Sequence, residues 1–179
     1  MKAKSQRVVM CALFTVLIAV GAFIKIPLPL PITLQLFFVV MSGLLLGSKG
    51  GAISCGIYMV LGLIGLPIFS QGGGISYIFQ PSFGYIIGFV FASFFTGLIT
   101  ERKKTPTLKT MLLASFVGLL TAYSVGMIYY YVICNFVLDI QLGIGLLLIR
   151  CFLLTAPMDI VSNIAAVFLS RKLKRFMLL

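Results

Sequence analysis

Apolar residues fill most of the chain in long runs, and the polar interruptions between them are short and sharply placed. A helix needs about 20 residues to cross ~30 Å of hydrocarbon, and runs on that scale predict six spans. They fall at 8–25, 34–48, 51–69, 83–100, 108–135 and 143–170. The second run is short for a crossing and is expected to tilt or to continue into its flanks. The first follows Lys2, Lys4 and Arg7 as a signal sequence would. It is long, however, and no small-residue cleavage site follows, so it is expected to remain in the mature protein. The predicted fold class is all-α: a polytopic membrane protein of six transmembrane helices, forming a single integral membrane domain over 1–179.

Composition agrees with that pattern. Hydrophobic residues make up 61% of the chain and charged residues only 9%, too much apolar surface for a soluble core of 179 residues to bury. The net charge of +11 would suggest nucleic acid in a soluble protein. Here basic and aromatic residues are not interleaved on any polar face, so no nucleic-acid partner is expected. The charges instead report topology. Twelve basic residues flank alternate ends of the spans: Lys2, Lys4, Arg7, Lys49, Arg102, Lys103, Lys104, Lys109, Arg171, Lys172, Lys174 and Arg175. The opposite loops hold Lys25 alone, and Arg150 falls within a span. The positive-inside rule then puts both termini in the cytoplasm.

Two outer loops stand out, "KIPLPLPITLQ" at 25–35 and "GLIGLPIFSQGGGISYIFQPSFGY" at 62–85. A connector between helices needs two to eight residues, and the second loop is far longer while carrying no solubilising charge. Glycine permits tight turns and close backbone approach, so the loop is expected to act as a ligand lid with Tyr77, Phe79, Phe83 and Tyr85 as its apolar cover.

Catalytic motifs are not evident: the chain has no Walker lysine, nucleophile elbow or paired carboxylates, and an enzyme is not expected. Cys11, Cys55, Cys134 and Cys151 sit in apolar runs at no metal-ligand spacing, and histidine is absent, so neither a metal nor a cofactor is expected. Of the three acidic residues, Glu101 and Asp139 read as solvated loop charges, whereas Asp159 falls in the middle of the last span. A carboxylate there costs about 2.5–3.5 kcal/mol on insertion scales, so it should face the bundle interior. Ser162 and Asn163, at i+3 and i+4, share its face, and Pro157 removes a backbone donor beside it. The competing reading is an interhelical hydrogen bond that only holds the bundle together. Arg150 either snorkels to the outer interface, the favoured reading, or meets an anionic ligand.

In order along the chain come Pro31-Ile32-Thr33-Leu34-Gln35, Gly43 to Ser54, Tyr58 to Phe69, Gly72 to Gly74, Gln80 to Tyr85, and Pro157-Met158-Asp159 running to Ser162. This series resembles the BioY family, the substrate-binding S components of energy-coupling factor (ECF) vitamin transporters, over nearly the whole chain. The resemblance implies a six-helix protein that captures biotin from outside. It also implies delivery by toppling against a transmembrane scaffold subunit driven by two ATPase subunits. By the same resemblance, substrate would be held by Asp159, Ser162, Asn163, Gln71 (or Ser70), Gly73, Gln80, Phe83 and Tyr85. The scaffold would meet Cys11, Thr15 and Ala19, small residues at the i+4 spacing that lets helices approach closely.

Two departures from the family pattern bear on the ligand. Ser162 stands where the family's "PGDxxK" has lysine, and "QPSFGY" replaces a glycine-richer "GPTGGY". Biotin offers ureido N–H donors to Asp159, while a lipoate-like acid would need fewer polar partners. Both substrates, and a non-transporting membrane scaffold, remain open at this point; a channel is disfavoured because no repeated polar ring lines the spans.

Overall fold

The structure, a computed structural model, describes residues 2–26, 30–103 and 105–177, with side chains from Ser5 to Lys174. Pro27, Leu28, Pro29 and Lys104, and the side chains of Lys2, Lys4 and Arg175, therefore lie outside the described residues. The elements are α1 (Lys2–Phe23), β1 (Lys25–Ile26), β2 (Ile32–Thr33), α2 (Gln35–Leu63), a 3-10 turn (Ile75–Phe79), α3 (Phe83–Glu101), α4 (Leu108–Val132), α5 (Ile144–Leu148) and α6 (Ala156–Met177). Among the described residues five helical stretches are long and apolar enough to cross a membrane, not six, because runs 34–48 and 51–69 merge into α2.

The two limbs of α2 nevertheless run antiparallel. Gln35 donates from Nε2 to the Tyr58 hydroxyl at 2.7 Å, although 23 residues of straight helix would hold them about 35 Å apart. The reversal falls at Gly47, whose φ of 78° is open only to glycine at low cost. The "GSKGG" segment read as a loop is thus a one-residue break between helical limbs. Tight packing follows from the fold-back. A Cβ on Gly51 would strike Gly43 and Ser93, and one on Gly97 would strike the backbone of Gly47 and Ser48. Ser42 and Ser93 share a hydrogen bond at 2.8 Å inside this seam.

At the cytoplasmic end Glu101 is not simply solvated: its Oε2 accepts from Ser48 at 2.7 Å, beside the Gly47 turn. Lys174 reaches the Leu44 carbonyl at 3.4 Å, which brings the basic C-terminal segment to the same end as Lys49 and Arg102, as the charge count predicts. Thr107 caps α4 by accepting from the Thr110 amide. The outward faces are apolar throughout, with Val8, Val9 and Val16 on α1 and Val161 and Phe168 on α6 exposed. In lipid such a coat carries no penalty.

The Cys11, Thr15 and Ala19 stripe makes contacts within the chain, with Cys11 and Ala19 only half-buried. Thr15 is buried and donates to the Ser54 carbonyl at 3.0 Å, the Cys11 thiol points at the Gly50 carbonyl at 3.6 Å, and Ala19 packs against the core. Small residues at i+4 bring helices together here, in a seam between α1 and the second limb of α2.

The last predicted span is also interrupted. A wide π turn at Ile149–Leu153 separates α5 from α6, and Pro157 sits in the first turn of α6, where its missing N–H is least costly. A second π turn, Ile133–Val137, ends the span that contains α4.

Candidate binding site

The long outer loop folds into a compact plug. Gly74 donates to the Gly62 carbonyl at 2.8 Å, Phe69 and Gly72 pair as an antiparallel bridge, and Gly72 and Gly74 take positive φ to make the turns. Phe69 anchors it from below, with Tyr77 at 4.6 Å and Tyr58 at 5.4 Å between ring centroids. Two phenols fasten the loop to the helices: Tyr58 donates to Ile68 O at 3.1 Å and Tyr129 of α4 to Ile78 O at 2.6 Å. Tyr129→Phe is expected to speed amide exchange across Ile75–Phe79 and to raise the ligand off-rate about fivefold, since a net hydrogen bond contributes about 1 kcal/mol. Hydrogen-exchange mass spectrometry and a dissociation assay read the two effects.

Beneath the plug lies a small cavity that opens at its mouth, lined by apolar walls with a few polar groups, the pattern of small-molecule sites. Apolar walls come from Leu36, Ile86, Phe89 and Ala122. Its polar groups fall into two sets. Near the outer surface are Thr33, Gln35, Ser70, Tyr77 and Ser82; at the inner end are Tyr123, Thr155 and Asp159, with Tyr85 between. Measured along α3, the inner end is shallow. Ala122, next to Tyr123, lies against Gly88, five residues or about 8 Å into α3 from its outer end.

At the inner end the break before α6 organises the polar groups. The Cys151 carbonyl, in the π turn, accepts from both Thr155 at 3.0 Å and Tyr85 at 3.3 Å. Thr155 in turn shares a bond of 2.8 Å with the Tyr123 hydroxyl, which also reaches Asp159 Oδ2 at 2.6 Å. Tyr85 and Tyr123 pack edge-on, 5.9 Å between centroids. Among the described residues no donor reaches Asp159 Oδ1. One carboxylate oxygen is therefore fixed by tyrosine and the other is left over for a guest.

Of the residues expected at the site, Asp159 and Tyr85 line the cavity. Gln71 and Gln80 are exposed on the loop, and Gly73 is wedged against the Leu66 and Gly62 carbonyls. Phe83 is buried under the plug against Phe69, Tyr77 and Tyr129. Ser162 lies outside the lining, and Asn163 is turned to α4, donating to the Ser115 carbonyl at 3.2 Å. Both follow Asp159 toward the cytoplasm, where the helices close together. Ser70 lines the mouth although Gln71 does not. Arg150 is exposed, as snorkelling expects. Tyr123 and Thr155 were not anticipated; the only trace of them is the cluster "TAYS" within an apolar run and a threonine four residues before Asp159.

A bundle of membrane-crossing helices with an outward cavity, roofed by an ordered loop and ending on a half-buried acid, defines a membrane-embedded binding protein for small molecules. The BioY family model matches residues 1–178, and the chain belongs to the BioY family. It is 43% identical to the "Probable biotin transporter BioY" of Lysinibacillus sphaericus, over 92% of this chain and 85% of that one. It is 34% identical to the "Biotin transporter BioY" of Thermotoga maritima, over 95% and 96%. Its structure superposes on a crystal structure of "the S-component for biotin from an ECF-type ABC transporter" with a TM-score of 0.85 and 30% identity, covering 97% of this chain and 93% of that one. The protein is thus a multi-pass membrane protein with the fold of a transporter S component.

Proposed function

We propose that this protein captures biotin on the outer side of the membrane, as the S component of an ECF transporter completed by a transmembrane scaffold subunit and two ATPase subunits. The observation that carries the reading is Asp159, which in a BioY-family chain ends an outward cavity with Oδ1 unsatisfied. A ureido N–H is a matching donor for that oxygen. Leu36, Ile86 and Phe89 supply apolar wall to cover the thioether ring.

The chemistry of the wall favours biotin over lipoate. A dithiolane has no N–H to give, and it would leave a desolvated carboxylate without a partner. Phe83, whose bulk was the reason to consider the simpler ring, is packed away from the cavity.

Thermal unfolding of the purified protein in detergent tests the reading. Biotin at 100 times its Kd is expected to stabilise by about 2.7 kcal/mol, a rise in Tm of roughly 5–10 °C for a chain of this size. Lipoate at the same concentration should leave Tm unchanged. A rise with lipoate alone would reassign the substrate, and no rise with either would favour the scaffold reading.

A further inference from the structure

Among the described residues, Asp159 is the sole acidic one in the cavity wall, and no basic one lines the cavity with it. The position three residues on, where the family places a lysine, is Ser162. An anionic group lodged at the inner end would therefore meet a like charge with no cation between, in surroundings that screen it poorly. A ligand carrying a carboxylate has to point it the other way, at the mouth.

The mouth has a cation beside it. Lys25 is in β1, directly across the ladder from Thr33 of β2, and its ammonium donates to the Ser70 carbonyl. Thr33 and Ser70 both line the cavity. Lys25 thus stands between two wall residues from separate loops, and it is exposed, so its stem can swing. Its present acceptor is a neutral carbonyl, and an ammonium has three donors. A carboxylate at the mouth is the stronger acceptor and can be met without giving up Ser70.

We infer that Lys25 is the counter-ion for the carboxylate of the bound ligand and the residue that makes the site select a free acid over its neutral derivatives. This rests on the proposed capture of biotin and goes beyond it by fixing the ligand's direction: ring inward on Asp159, acid outward on Lys25. The Ser70 and Ser82 hydroxyls, linked through Tyr77 at 3.3 Å each, complete the anion's surroundings at the mouth.

Calorimetric titration of the full-length protein with biotin and with biotinamide tests the assignment. Wild type is expected to prefer biotin at least tenfold. In Lys25→Met the preference should fall to about twofold or less, with biotinamide affinity held within about threefold, and Lys25→Arg should restore most of it. If Lys25 serves only to tie β1 to the glycine loop, Lys25→Met will weaken both ligands in parallel and keep their ratio, which overturns the inference. Equal affinities in wild type would overturn it too while leaving biotin capture intact, and binding of neither ligand would overturn both.

Discussion

Asp159→Asn is expected to weaken biotin binding about 100-fold in a calorimetric titration. A hydrogen bond to a charged acceptor contributes about 1.5–3 kcal/mol, or roughly 10–150-fold in affinity, and the upper end applies where water is excluded. The amide also brings an N–H into a place built for an acceptor, so one of its two orientations repels the ureido N–H. Folding should survive. The amide oxygen still accepts from Tyr123, whose bond to Asp159 is 2.6 Å, and the cost of holding a charge in the bundle disappears. The ligand-free Tm should therefore stay level or rise. A fall in ligand-free Tm with biotin affinity unchanged would mean the acid serves only to join α4 to α6.

Gly97→Val carries the largest expected effect on stability. The first carbon of any side chain at this position meets the backbone of Gly47 and Ser48, which cannot rotate away. Forcing α3 off the α2 turn should cost about 3 kcal/mol, at the upper end of overpacking, and lower Tm in detergent by roughly 6–12 °C. Gly56→Ala is the matched control, because open space surrounds its added carbon, and its Tm should move by no more than about 2 °C. Equal losses at both positions would show that helix propensity or lipid contact governs stability here, not the seam.

Sidedness was readable from the chain because lipid imposes a simple rule on cations, and the cytoplasmic contacts of Lys174 and Glu101 obey it. Asp159 was readable for a related reason: a carboxylate in an apolar run has to be turned inward. Its partners were not. Tyr123 lies 36 residues away on another helix and counts as hydrophobic in any periodicity, so nothing local marks its hydroxyl as the one that meets the acid. Ser162 and Asn163 share a helical face with Asp159, yet one turn further in the helices close together and the hollow has ended. The α2 fold-back was legible as a break between two apolar runs at Lys49, though the single glycine that makes it was not. The i+4 stripe on α1 was legible as a close-approach surface, and within the chain its Thr15 meets the second limb of α2, a neighbour that sequence spacing does not name.

The glycine seam also limits how any cargo can travel. At Gly43, Gly51 and Gly97 the main chains of α2 and α3 interlock, and a water-filled passage has no room along that seam.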